Sequence, residues 1–176
     1  DVFRMGHSDQ TARDGLRSYN LLRSMQGDSG IPAPQPIESV AFLEVAVEPA
    51  DFASLRELLT ALGMACVGRH HTLNAERWAA GDVNLVLNAE SSFTGRTPGR
   101  DATAVTAIGL RVANAYEAFK RADKLGYDIV EPEEVGASHR MSALRNVDGS
   151  LSYIIDDSQL SRTWDREFPV DVQPVP

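Results

Sequence analysis

The pattern of apolar and polar residues predicts strands and helices that recur twice in the same order. In the first unit, a strand-like run at 41–47 precedes a helix-like run at 50–64. The second unit repeats this pair at 106–112 and 114–127. Three more strand-like runs follow each helix, at 66–70, 75–79 and 83–88 and then at 128–132, 139–145 and 151–155. Each unit is therefore predicted to be a βαβββ module.

The repeat also predicts how the domain is organised. Both helices end in a matching Leu-Gly pair, at Gly63 and Gly126, and glycine is the residue that most readily ends a helix. We assign the modules to 38–90 and 103–157, within one α+β domain at 37–157. Because a sheet must cover its apolar face, we expect the two modules to bury their open sheet faces against each other.

The segments on either side of this domain have a different character. Residues 1–26 predict an amphipathic helix, with Leu16, Tyr19, Leu22 and Met25 at helical spacing. A linker rich in proline and glycine follows at 27–36, and 158–176 is predicted to be an exit linker with at most one helical turn. The chain begins without methionine, and we interpret it as a piece of a longer protein.

Composition and charge exclude several functions. The net charge of −8 and the isoelectric point near 4.9 argue against nucleic-acid binding, which usually needs a basic surface. No apolar run approaches the ~20 residues of a membrane-spanning helix, and we expect a cytoplasmic protein without membrane partners. Cys66 is the only cysteine, so no disulfide forms within the chain, and its strand-like surroundings predict that it is buried.

Four segments of the repeat carry a resemblance to a known superfamily. They are "VAFLEVAV", "LLTALGMACVGRH", "GDVNLVLNAE" and "NVDGSLSYIID". Together with the paired βαβββ modules, they resemble the vicinal oxygen chelate superfamily of glyoxalases and extradiol dioxygenases, and most of all 4-hydroxyphenylpyruvate dioxygenase-like domains. The first residues, "DVFRMGHSDQTARDGLRSYNLLRS", are similar to the last helix of a xylose-isomerase-type TIM barrel. This order of parts resembles bacterial fused 3-dehydroshikimate dehydratases.

The resemblance implies a lyase of aromatic catabolism as the parent protein. Such enzymes convert 3-dehydroshikimate to protocatechuate with a divalent metal in the barrel, and only the apparent last barrel helix belongs to this chain. The dioxygenase-like part of the family has two halves, each of paired modules, and a dioxygenase's iron lies in the second half. This chain resembles the first half.

The resemblance also implies where a metal would bind. Members that bind metal carry a His in the first strand of a module and a Glu in the last. These positions correspond to Phe42, Leu87, Ala107 and Tyr153, none of which is a usual ligand. We therefore expect no catalytic residue, no metal and no other cofactor in this chain, and a cleft filled by side chains.

Several other side chains are candidates for lining that cleft. Glu44 alternates with Phe42 along one strand, and Arg111 in the matching strand is a candidate partner in a structural ion pair. His70 and His71 are adjacent on a strand and are expected to point to opposite faces. The candidate cleft-lining residues are Phe42, Glu44, Trp78, Asn84, Arg111, His139 and Tyr153. Solvent exposure of Asn84 and His139 and a core position for Trp78 remain alternatives.

Three functions are compatible with these observations. The first is a non-catalytic domain that supports the stability, assembly or regulation of a fused 3-dehydroshikimate dehydratase. The second is an autonomous metal-dependent dioxygenase or glyoxalase-like enzyme that uses Glu44 and a histidine. The third is a binding module whose cleft, lined by Phe42, Trp78 and Tyr153, holds an aromatic or shikimate-type molecule. We also expect partners in the parent's missing domains and in a second copy of the chain, because apolar surface remains uncovered.

Overall fold

The computed structural model describes residues 30–89, 103–131 and 141–169. These residues form eight strands and three helices. In chain order they are β1 (Ile37–Ala46), α1 (Phe52–Ala61), β2 (Ala65–Arg69), β3 (Ala75–Ala80), β4 (Val83–Asn88), β5 (Ala104–Val112), α2 (Ala115–Lys124), β6 (Ile129–Val130), β7 (Ala143–Arg145), β8 (Leu151–Ile155) and α3 (Asp157–Glu167). The predicted α+β fold with two βαβββ modules is confirmed.

Local signals explain where α2 begins and where both module helices end. The side chain of Asn114 accepts a hydrogen bond from the backbone N of Glu117 and so caps the start of α2. Gly63 and Gly126 follow α1 and α2 with φ of 80° and 74°. This left-handed conformation favours glycine and ends the helix.

The modules join edge to edge, which corrects the prediction that their sheet faces pack together. All eight strands lie in one sheet in the order β2-β3-β4-β1-β5-β8-β7-β6. The first strand of each module runs parallel to its last strand, and β1 and β5 pair antiparallel at the centre. This arrangement satisfies the backbone groups along two strand edges that separate modules would leave open.

The two faces of the sheet carry different apolar clusters. Beneath α1, one face buries Val47, Phe52, Leu59, Trp78 and Leu87. The other face, which we call the enclosed face, buries Phe42, Val86, Ala107, Tyr153, Trp164 and Phe168. Trp164 and Phe168 belong to α3 and the residue after it, so α3 covers the enclosed face.

Two further predictions are wrong. The first half of the predicted exit linker forms α3, which begins with a capping box between Asp156 and Gln159 and buries Trp164. Cys66 is exposed, because β2 is a terminal strand of the sheet and pairs with β3 alone.

The predicted helix at 1–26 lies outside the described residues. In the part of the chain that the structure describes, no helix is long and apolar enough to cross a membrane.

Candidate functional site

Aromatic side chains fill the enclosed face of the sheet. The centre of the Phe42 ring lies 5.7 Å from the ring centre of Tyr153 and 5.5 Å from that of Trp164. Trp164 also makes an edge contact with Phe168 at 5.8 Å. Phe42, Tyr153 and Phe168 are at most 1% exposed. The surface on which a cleft was predicted is therefore packed by the chain's own side chains.

Phe42 occupies its place because the facing strand has no side chain there. Gly109 of β5 pairs with Phe42 of β1. A Cβ atom at Gly109 would lie 2.5 Å from Cδ1 and Cε1 of the Phe42 ring. Only glycine leaves room for this ring, so the packing of the enclosed face depends on a close fit between the two modules.

Buried polar groups lie within the same face. The carboxylate of Glu44 is fully buried and accepts a hydrogen bond of 2.8 Å from Nδ2 of Asn88. Burial raises the pKa of Tyr153 well above its ordinary value, and the carboxylates of Glu44 and Glu167 raise it further. Tyr153 is therefore a neutral phenol at physiological pH.

Arg111 has other partners than the one expected from the sequence. Its Nε lies 2.7 Å from Oδ1 of Asp157 in α3 and 3.6 Å from Oε2 of Glu38. These ion pairs lie at the rim, where Arg111 is partly exposed, whereas Glu44 is inside. The arginine therefore ties the start of α3 to β5 and makes no ion pair inside the enclosed face.

Trp78 lies on the opposite face of the sheet from Phe42 and Tyr153, so it has the core position that was its alternative and not a place in the cleft. Its Nε1 donates a hydrogen bond of 3.1 Å to Glu76, and its ring packs in the cluster beneath α1. Glu76 is 3% exposed and also accepts from Nε of Arg56 at 2.9 Å and Nε of Arg69 at 3.2 Å. Sequence reasoning missed this network. Glu76 and Trp78 are two residues apart on β3, and this spacing places them on the same face of the sheet.

Asn84 does lie on the enclosed side of the sheet, where it holds an arginine. Its Oδ1 accepts hydrogen bonds of 3.1 and 2.8 Å from Nε and a terminal nitrogen of Arg77. The guanidinium of Arg77 lies over the ring of Trp164, 4.2 Å from its centre. Arg77, which sequence reasoning did not single out, thus links β3 and β4 to α3.

The two adjacent histidines do not point to opposite faces as predicted. Their rings stack with centres 4.7 Å apart, because both residues follow the end of β2. Nδ1 of His70 accepts from the backbone N of Thr72 and of Leu73, and its ring contacts Phe168 edge-on at 5.3 Å. His70 is therefore built into the turn before β3. His139, the remaining histidine candidate, lies outside the described residues.

The described residues do not fit the metal centre that the resemblance implies. Phe42, Ala107 and Tyr153 all lie on the enclosed face, while Leu87, the fourth predicted position, faces α1. A divalent metal needs several converging oxygen, nitrogen or sulfur ligands. Within 30–89, 103–131 and 141–169, no group of three or more His, Cys, Asp or Glu side chains is placed to hold one.

Paired βαβββ modules joined through their first strands into one sheet define the glyoxalase-like, or vicinal oxygen chelate, class of fold. Methylmalonyl-CoA epimerase from Mycobacterium tuberculosis shares this fold with a TM-score of 0.51 and 15% identity, over 73% of this chain and 93% of the epimerase. The family described as "Hydroxyphenylpyruvate dioxygenase, HPPD, N-terminal" matches residues 32–168. The chain belongs to this family.

Two longer proteins are similar to most of the chain. 3-Dehydroshikimate dehydratase from Pseudomonas putida is 32% identical over 97% of this chain, and the match covers 29% of that enzyme. A solved xylose isomerase-like TIM barrel/4-hydroxyphenylpyruvate dioxygenase fusion protein matches 82% of this chain at 30% identity with a TM-score of 0.72. That match covers 23% of the fusion protein. The chain thus spans less than a third of these relatives, and the resemblance predicted from the sequence is confirmed.

Proposed function

We propose that this chain is the first dioxygenase-like half-domain of a fused 3-dehydroshikimate dehydratase and that it serves the parent as a non-catalytic, stabilising part. In this proposal, the parent converts 3-dehydroshikimate to protocatechuate in a metal-binding barrel that lies elsewhere in the protein. The similarity to the Pseudomonas enzyme over 97% of this chain supports the choice of parent.

The packing of the enclosed face is the observation that carries the non-catalytic role. A catalytic cleft must admit substrate and present groups that take up charge or protons. Here, Phe42, Trp164 and Phe168 fill the corresponding space, and the Tyr153 phenol stays neutral. Packing of this kind favours a rigid support for neighbouring domains over a site of turnover.

Activity and metal content of the purified 176-residue chain test this proposal. Cells that express the chain are grown with iron, manganese and zinc available, and the purified chain is analysed for these metals. It is then assayed with 3-dehydroshikimate and, separately, with 4-hydroxyphenylpyruvate and oxygen. We expect no turnover of either substrate and well under one metal ion per chain. Protocatechuate formation would place the dehydratase in this chain, and oxygen-dependent turnover with bound iron would support an autonomous dioxygenase. Either result would overturn the proposal.

Self-association is the second part of the proposed supporting role. Three apolar side chains lie exposed near the start of β1 and the β3–β4 hairpin: Ile37, Val40 and Val83, at 62%, 51% and 58%. Surface of this kind promotes association when another copy covers it. Light scattering at increasing concentration is expected to show dimers of the unsubstituted 176-residue chain and fewer dimers of the Val83→Lys variant. A monomer at every concentration would contradict this part of the proposal.

A further inference from the structure

A cavity of about 460 Å³ lies between α2 and α3, away from the packed centre of the enclosed face. Tyr116 and Phe119 of α2 form one side, and Arg162 and Arg166 of α3 form another. Ile154 of β8 also contributes to its lining. The volume is in the range of pockets that hold small organic molecules, roughly 300–1,000 Å³.

The unequal lengths of β7 and β8 explain why a cavity opens here. Pairing between these strands ends where Ala143 faces Tyr153, so Ile154 and Ile155 extend beyond β7. On its other side, β8 stays paired with β5 as far as Ile155. Among the described residues, β8 is therefore paired at Ile154 with β5 on one side and with no strand on the other.

The lining of this cavity combines aromatic rings with positive charge. Arg162 and Arg166 are four residues apart on α3 and so lie on the same side of the helix. Within the described ranges, neither guanidinium takes part in an ion pair. Lys120, beside Tyr116 on α2, is paired with Glu117 at 3.8 Å and adds no unpaired charge. In a chain of net charge −8, the two exposed arginines on one side of α3 mark a site for an anion.

The acidic residue in the lining does not neutralise this charge at the surface. Glu167 is 4% exposed, and its carboxylate acts on the phenol of Tyr153 in the interior. Arg162 and Arg166, by contrast, are exposed. An anion at the opening therefore meets the two exposed guanidinium groups first, while Glu167, which also lines the cavity, lies buried.

We propose that this cavity binds a small aromatic carboxylate. The carboxylate pairs with Arg162 and Arg166, whose planar guanidinium groups suit two-point hydrogen bonding to a carboxylate. The ring packs against Tyr116, Phe119 and Ile154, which offer the aromatic and aliphatic surface that a flat ring needs. This site lies outside the cleft that Phe42, Trp78 and Tyr153 were predicted to form, and it does not depend on the proposed non-catalytic role.

Titration of the 176-residue chain by ¹⁵N–¹H NMR tests the site with three probes. Benzoate carries ring and charge, benzamide has the ring without the charge, and cyclohexanecarboxylate has the charge without the aromatic ring. We expect saturable shifts with benzoate, at a dissociation constant on the order of 1 mM for so small a ligand. These shifts concentrate at residues 116–119, 154 and 159–166. Benzamide and cyclohexanecarboxylate are each expected to bind at least about fivefold more weakly, because each lacks one of the two contacts.

Three variants make the assignment specific. Arg162→Gln and Arg166→Gln are each expected to weaken benzoate binding about tenfold, since each removes a charge-assisted hydrogen bond. Arg145→Gln is the matched control, because Arg145 pairs with Asp128 outside the cavity and its loss should leave binding unchanged. The proposal is overturned if benzoate shows no saturable shift, if benzamide binds equally well, or if the three variants behave alike. Unchanged backbone spectra of the free variants confirm that each is folded.

Discussion

The last strands of the two modules differ in how completely they are paired. In the first module, β3 pairs with all six residues of β4, from Val83 to Asn88. In the second module, β7 pairs only with β8 residues 151–153, so Ile154 and Ile155 remain beyond it. Within the described residues, the same βαβββ pattern thus gives a last strand that is fully paired by its hairpin partner in one module and only partly paired in the other.

The first strands of the modules differ in side-chain size. In the repeat, Phe42 and Glu44 of β1 correspond to Ala107 and Gly109 of β5. Antiparallel pairing then places Phe42 opposite Gly109 and Glu44 opposite Ala107. Large side chains of the first module thus lie against small ones of the second. The enclosed face is filled because the two copies of the repeat have become unequal.

Removal of the Trp164 ring is expected to have the largest effect on this asymmetric packing. Trp164 covers Phe42 from the first module and lies in the same cluster as Tyr153 from the second. Trp164→Ala should lower the free energy of unfolding by about 3–5 kcal/mol, the usual loss for a buried aromatic ring. Urea denaturation measures it, with Ser161→Ala on the exposed side of α3 as the control. A loss below about 1 kcal/mol would mean that α3 does not hold the modules together.

A methyl group at Gly109 tests the fit between the first strands directly. Gly109→Ala places a Cβ 2.5 Å from the Phe42 ring and should cost about 1–3 kcal/mol of unfolding free energy. Phe42→Leu makes the side chain at position 42 smaller, so the double variant should lose less than the sum of the two single losses. Strictly additive losses in urea denaturation would show that Phe42 and Gly109 do not constrain each other.

The Glu76 network of the first module makes a smaller, pH-dependent contribution. Burial alone would raise the pKa of Glu76, but hydrogen bonds from Arg56, Trp78 and Arg69 outweigh it and hold this pKa below its ordinary value. The stabilisation is therefore present at neutral pH and is lost as the pH falls through this lowered pKa. Because both arginines are about half exposed, we expect Glu76→Gln to cost only about 1 kcal/mol at pH 7.

Denaturation across the pH range distinguishes this contribution from simple packing. The difference in unfolding free energy between the unsubstituted chain and Glu76→Gln should shrink as the pH falls from 5 to 3. Glu57→Gln, on the exposed surface of α1, is the matched control and should change little at either pH. A cost that stays constant down to pH 3 would show that the charge of Glu76 contributes nothing.

Local patterns predicted the elements of this fold well, because helical and strand periodicity need only neighbouring residues. β4 lies where it was predicted, and α1 and α2 lie within their predicted ranges. The edge-to-edge joining of the modules was not predictable in this way, since the same alternation suits a sheet that is stacked or extended. The exposure of Cys66 likewise depends on which strand ends the sheet.

The candidate site was harder to predict, because it depends on which face each side chain meets. Alternation placed Phe42 and Glu44 on one face, as the structure has them, but the partner predicted for Glu44 was Arg111, whereas Asn88 donates to it. Prolines near the chain end concealed α3, although Trp164 and Phe168 are four residues apart, as on one side of a helix. The cavity of Arg162 and Arg166 was missed with α3.

The starts of α1 and α2 are expected to show the smallest difference in stability between the two modules. Asn114 and Asp51 are both residue types that favour this position, but only Asn114 makes a capping hydrogen bond, of 3.1 Å to the backbone N of Glu117. Asp51 accepts instead from Oγ1 of Thr103, at an exposed position. Asn114→Ala should therefore cost about 1 kcal/mol in urea denaturation, and Asp51→Ala about half as much or less. Equal costs would mean that the two helix starts are equivalent and that the asymmetry between the modules is confined to their strands.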